Sequence, residues 1–163
     1  MSSLQTKITI CESIIAYDFT DEVLCAKALS AYAACVTIQG QTRNLQHNSH
    51  MAVYGDAVSA SYLCRTWLDS GLDSQWTAIR ECVLGNANLA AVGFCHNLDR
   101  CVLLNPGTTA VSDKTMATTV EAILGAVHVD GGNAALGLVM VKLGLTHALL
   151  DVVTYNFYLI LGR

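Results

Sequence analysis

A single proline, Pro106, stands in 163 residues. Proline inside a helix removes a hydrogen bond and clashes with the preceding turn. A chain that almost lacks it is free to run in long helices, and the apolar spacing agrees. Met51, Tyr54, Val58, Tyr62 and Trp67 recur near the helical period and predict a helix over about 49–68. Leu4, Ile8, Ile10–Cys11 and Ile14–Ile15 predict one over about 4–15. Thr20-Asp21-Glu22 reads as an N-cap with acids in the first turn, its helix running to about Cys35. Polar residues 37–48 read as a loop, and further helices follow near 74–84 and 88–97. Ser112-Asp113-Lys114 opens a helix to about Asp130 that Gly131-Gly132 stops, and another runs from Asn133 past Leu143. Residues 150–161, rich in Val, Thr, Tyr, Phe and Ile, are more strand-like. The fold class is all-α.

Composition narrows the function classes. Hydrophobic residues make up 53% and charged residues 13%, where a soluble domain carries about 25% charge. A disordered tail is excluded. The net charge of -4 argues against a basic nucleic-acid binder. Scarce charge predicts apolar surface covered by a partner, a second copy of the chain. The polar opening Met1–Lys7 predicts no secretory signal. Lys142, His147, Asp151 and Asn156 interrupt the apolar stretch 134–161, which predicts no membrane span. The expectation is a cytoplasmic protein whose seven cysteines stay reduced.

Two segments carry a signature. The first is Asn48-Ser49-His50-Met51-Ala52-Val53-Tyr54-Gly55-Asp56-Ala57-Val58. The second runs from Ala117-Thr118-Thr119-Val120-Glu121 through Gly125 to Val129-Asp130-Gly131-Gly132. With Glu12–Asp21 before them, they resemble the ribonuclease III catalytic domain, and the form is similar to small single-domain ribonuclease III-like proteins of fungi. The resemblance covers about residues 5–145. It implies a homodimeric endonuclease-domain fold over 1–145 and a C-terminal extension over 146–163, with no double-stranded-RNA-binding domain.

The family holds magnesium with four carboxylates, two at i and i+4 on one helix and two at i and i+3 on a later one. Magnesium wants hard oxygen ligands, and phosphodiester hydrolysis uses it to generate hydroxide. Carried onto this chain, the first pair falls on Ala52 and Asp56 and the second on Thr118 and Glu121. A further family Glu falls on Ser49, and the family Arg of the first motif on His50. Ala52 cannot ligate, and Thr118 offers at most a neutral hydroxyl. The nine Lys and Arg show no cluster along the chain.

These departures lead to a repurposed domain. Asp56 and Glu121 are expected to be catalytic, as a carboxylate pair whose pKa values separate in an apolar cleft. Ser49, Ala52, Val53, Thr118 and His128 are expected to line the pocket, with Tyr54 or His50 as a polar handle. His128 follows Glu121 by two turns and is placed on its face, in the pocket or at the dimer interface. The substrate expected is a small, largely apolar organic molecule, isomerised, dehydrated or cyclised with no cofactor, and RNA is not expected as a partner. Two alternatives stand beside it. One is a weakened magnesium-dependent double-stranded-RNA endonuclease with Mg at Asp56 and Glu121. The other is a non-catalytic binding or scaffold protein.

Overall fold

A computed structural model describes residues 3–68, 70, 72 and 74–150. Six helices and one hairpin follow in order: α1 (Leu4–Ile15), α2 (Glu22–Leu29), β1 (Ala34–Ile38), β2 (Gln41–Leu45), α3 (Ser49–Leu68), α4 (Trp76–Leu84), α5 (Asn86–Cys95) and α6 (Asp113–Leu143). A single 3-10 turn, Leu98–Arg100, lies between the last two.

The centre of the molecule is α6. From Met116 to Val127 it is buried on nearly every side, and it packs most heavily on α3, then on α5 and α2. A helix apolar all round needs such a central place. By length and composition α6 would pass for a membrane span, with a mean hydropathy of 1.3 in its most apolar window, but 56% of that window is buried inside the fold. Ser112 caps its start, accepting from the Thr115 N–H at 3.2 Å. Gly132 adopts φ 69° and ψ -165°, a conformation open to glycine and costly for other residues. The Gly131-Gly132 pair therefore breaks the helix rather than stopping it, and the chain resumes as helix at once.

The break leaves Asp130 at the end of the first half of α6, where it fastens the N-terminal helices. Its carboxylate accepts from the Tyr17 hydroxyl at 2.7 Å and from the N–H groups of Thr20 and Asp21 at 2.8 and 3.1 Å. Those N–H groups lead into α2, whose Asp21 N-cap accepts from Val23 N–H at 3.0 Å. Desolvation works to raise the Asp130 pKa, but the hydrogen bonds from Tyr17, Thr20 and Asp21 outweigh it and hold the carboxyl below its ordinary value. Tyr17, desolvated and beside Asp130, is pushed up to about 12.

Two expectations need correction. The second helix ends at Leu29, not Cys35, because Leu103 draws the chain out of it. Leu103 N–H donates to Leu29 O at 2.8 Å, and Ala31 N–H donates to Leu103 O at 3.0 Å. The stretch read as a loop holds an antiparallel hairpin, with Thr37 opposite Thr42 and Ile38 opposite Gln41. Its turn residues Gln39 and Gly40 have φ 50° and 75°, the two-residue form that suits strand twist. The exposed side chains of β2 gave no alternating apolar signal. Residues 151–161 of the strand-like stretch lie outside the described residues, as does most of the 146–163 extension. Leu145 and Leu150 are buried in the common core.

Candidate active site

The site begins with a contact between two backbones. Gly55 on α3 lies against the backbone of Glu121 and Gly125 on α6, so close that a Cβ on Gly55 would overlap the Glu121 carbonyl. Reciprocally, a Cβ on Gly125 would lie 2.6 Å from the Met51 carbonyl oxygen. No side chain separates the helices here. Asp56 follows the first glycine, and Glu121 precedes the second by one turn, so both carboxylates reach the same cleft.

Asn48 closes the base of this arrangement. It is 3% exposed, and its amide donates to Ala28 O at 2.8 Å and to Thr119 Oγ1 at 3.4 Å. The Asn of the first motif therefore ties α2, the start of α3 and α6 together.

Asp56 and Glu121 line two open depressions. One, of about 290 Å³, is walled by Ser49, Ala52, Val53, Asp56, Thr118 and Glu121. The other, of about 310 Å³, is walled by Asp56, Arg80, Glu81, Leu84, Gly85, Asn86, Ala87 and Glu121. Thr118 also borders a smaller hollow formed with His47, Asn48, Lys114 and Thr115. The three hollows share lining residues and make a groove with the carboxylates in the middle. Lys114 borders the smaller hollow, and Arg80 lies beside Asp56 itself.

Arg80 is a site residue that the sequence does not announce. Its Nη2 donates to both Asp56 oxygens, at 2.8 and 2.9 Å. Among the described residues Glu121 has no such ion pair. Burial, then the neighbouring charge of Asp56, push its carboxyl up to about 7, with Arg80 pulling the other way. One carboxyl is neutralised by a guanidinium, and the other holds its proton to near neutrality.

Six of the seven expected site residues come together, and His128 does not. Its Nδ1 meets the Tyr54 hydroxyl at 2.8 Å and its Nε2 meets Asn133 Oδ1 at 3.2 Å. Seven residues carry a helix back to nearly the same face, but about 10 Å further along the axis, which takes His128 beyond the cleft. Tyr54 is engaged there too and is no handle on the groove. The walls differ along the cleft: the depression at Arg80, Glu81 and Asn86 exposes mainly polar surface, and the one walled by Ser49, Ala52, Val53 and Thr118 mainly apolar surface.

Known proteins agree with this architecture. No family model matches the chain. Over 135 residues, 77% of this chain, it is 30% identical to Ribonuclease 3 of Oleidesulfovibrio alaskensis and covers 57% of that protein. Over 133 residues it is 26% identical to Ribonuclease 3 of Rhodopirellula baltica, covering 47% of it. The chain belongs to the ribonuclease III catalytic-domain family. Its fold matches the ribonuclease III nuclease domain of Campylobacter jejuni with a TM-score of 0.63 and 19% identity, over 85% of this chain and 92% of that one. A second structure of that domain, described for flexibility in the region of dimer formation, matches with a TM-score of 0.64 over 84% and 93%. The chain spans about half the length of the curated ribonucleases it matches.

Membership corrects one expectation outright. A site needing no cofactor does not follow, because ribonuclease III relatives are magnesium-dependent. Among the described residues no three His, Cys, Asp or Glu side chains gather as a metal cage. The residues present do fit one kind of site. Asp56 and Glu121 are hard oxygen donors bordering the same two depressions, and Glu121 is a half-buried carboxyl pushed up by burial and by Asp56. Magnesium is commonly held by one or two carboxylates, with waters and substrate phosphates completing the shell. Asp56 and Glu121 suit that arrangement, while Ala52 contributes no donor.

Proposed function

We propose that the chain is a homodimeric ribonuclease III-type nuclease domain that hydrolyses duplex RNA in the cytoplasm at a reduced, magnesium-assisted site. The observation that carries this reading is the cleft itself, with paired carboxylates in its wall, Arg80 on Asp56 and Lys114 beside the adjoining hollow. A polyanion with a metal-assisted scissile phosphate asks for that combination of charges. Magnesium, when bound by Asp56 and Glu121, supplies an activated water and charge to steady the leaving oxygen. Thr118 and Ser49 offer neutral hydroxyls to phosphate or water along the groove wall. Lys114 supplies a point charge for a backbone phosphate at the adjoining hollow.

Two of the family's four metal acids are replaced, so the cation is held weakly and turnover is expected to be slow. Both depressions are open to solvent and the one at Arg80 is polar, which favours this reading over conversion of a small apolar molecule, which asks for an enclosed apolar pocket. The test is incubation of the purified chain with duplex RNA and magnesium or manganese. Slow cleavage that Asp56→Asn and Glu121→Gln both abolish is expected. Intact RNA at large enzyme excess would reject the nuclease and leave a non-catalytic relative. Light scattering tests the dimer, and a monomer at micromolar concentration would reject that part.

A further inference from the structure

Arg80 occupies Asp56 in a particular way. A single nitrogen, Nη2, straddles both carboxylate oxygens at 2.8 and 2.9 Å. This is not the parallel two-nitrogen fork that makes arginine–carboxylate pairs strong. The pair is also open to solvent, with 37% of the Arg80 side chain and 36% of the Asp56 side chain exposed. Exposed pairs of this kind are weak. Arg80 sits on α4 and Asp56 on α3, and both line the depression that Glu121 completes.

We propose that Arg80 is a resident counter-cation of the cleft, which a divalent ion displaces from Asp56 on binding. A carboxylate oxygen shared with a guanidinium is a poorer metal donor, so the ion pair and the metal compete for the same lone pairs. In the depression that Asp56, Glu81 and Glu121 share, the guanidinium neutralises one of the carboxylate charges that a cation would otherwise meet. Once released, Arg80 remains in the groove wall with all its donors free for a substrate phosphate, which binds arginine well. The ion pair thus sets the metal affinity, and a phosphate arriving with the metal gives Arg80 a new partner. This inference rests on the proposed function only in taking Asp56 and Glu121 as the cation's ligands.

The test uses manganese alone, without RNA, titrated calorimetrically into the full chain above the pH at which Glu121 titrates. Removing the charge in Arg80→Gln is expected to tighten manganese binding about three- to tenfold. Arg80→Lys keeps the charge and is expected to stay near the parent value, which separates competition from damage to the fold. In an Asp56→Asn background, Arg80→Gln is expected to change affinity little, since the shared carboxylate is gone. Unchanged or weaker binding in Arg80→Gln would overturn the proposal. So would an equal gain in the Asp56→Asn background, or no measurable manganese binding in any variant. Failure to cleave RNA would count against the nuclease alone and leave this result standing.

Discussion

Replacing Glu121 by Gln isolates the electrostatic state of the cleft. In the native fold the Glu121 carboxyl is pushed from its ordinary 4.5 up to about 7, chiefly by burial and then by Asp56. The native state keeps this proton where the unfolded chain has lost it, so the slope of stability with pH is negative between those values. The contribution is fully present below the unfolded value and is lost as the pH rises through about 7. A fully transferred shift of that size would amount to about 3 kcal/mol. Glu121 is only about half-buried, and solvent screening reduces the figure to about 1–2 kcal/mol. Glutamine mimics the protonated acid. Glu121→Gln is therefore expected to match the parent at pH ~4.5 and to exceed it by about 1–2 kcal/mol at pH ~8. Urea unfolding at both pH values reads this from the midpoints. Equal differences at the two pH values would show that Glu121 ionises normally and would remove the electrostatic basis for a cation-seeking pair.

Manganese at millimolar concentration is expected to raise the parent's melting temperature above pH 7 and to do so less in Glu121→Gln, as ligand linkage requires; scanning fluorimetry reads both. Gly55→Ala drives a methyl into the Glu121 carbonyl and is expected to cost about 1–3 kcal/mol in chemical denaturation, as overpacking does. Asp130→Asn keeps the shape but leaves one accepting oxygen where two accept from three donors and turns an NH2 toward a donor, an expected loss of about 1–3 kcal/mol, with faster amide exchange at Thr20 and Asp21. Val129, 52% exposed on α6, is expected to lie at the copy-to-copy face. Val129→Glu should then give monomers by light scattering while circular dichroism stays unchanged.

The helices were legible because their signals are local. Asp21 and Ser112 cap the helices that begin after them, and α1 and α3 span the ranges their apolar periods predict. The hairpin was hidden because its solvent-facing side chains are polar throughout β2, and its turn, Gln39-Gly40, resembles loop sequence. Within the site, Asp56 and Glu121 could be found because a two-motif resemblance marks them. Ser49, Ala52 and Thr118 were marked by the same resemblance, as positions where the family carries acids, and Val53 adjoins Ala52. Arg80 could not be found that way. Twenty-four residues separate it from Asp56, and only the packing of α4 beside α3 joins them. The same limit scattered Lys114 and Arg80 along the chain as unrelated cations, although the fold sets them in adjoining hollows linked through Thr118, Asp56 and Glu121. His128 failed for the opposite reason, since angular position on a helix says nothing of distance along it.

The central place of α6 also orders the molecule in time. Its partners α2, α3 and α5 all precede it in the chain, and each buries its apolar face mainly against a helix that synthesis supplies after them. Until Met116–Val127 emerges, Leu29, Leu63 and Leu89 lack the wall that hides them in the finished core. A growing chain therefore carries exposed apolar surface for most of its synthesis and closes in one late, cooperative step. Such contacts between distant parts of a sequence are slow to form, and a fragment ending before Ser112 would be a substrate for chaperones and proteases rather than a smaller folded domain.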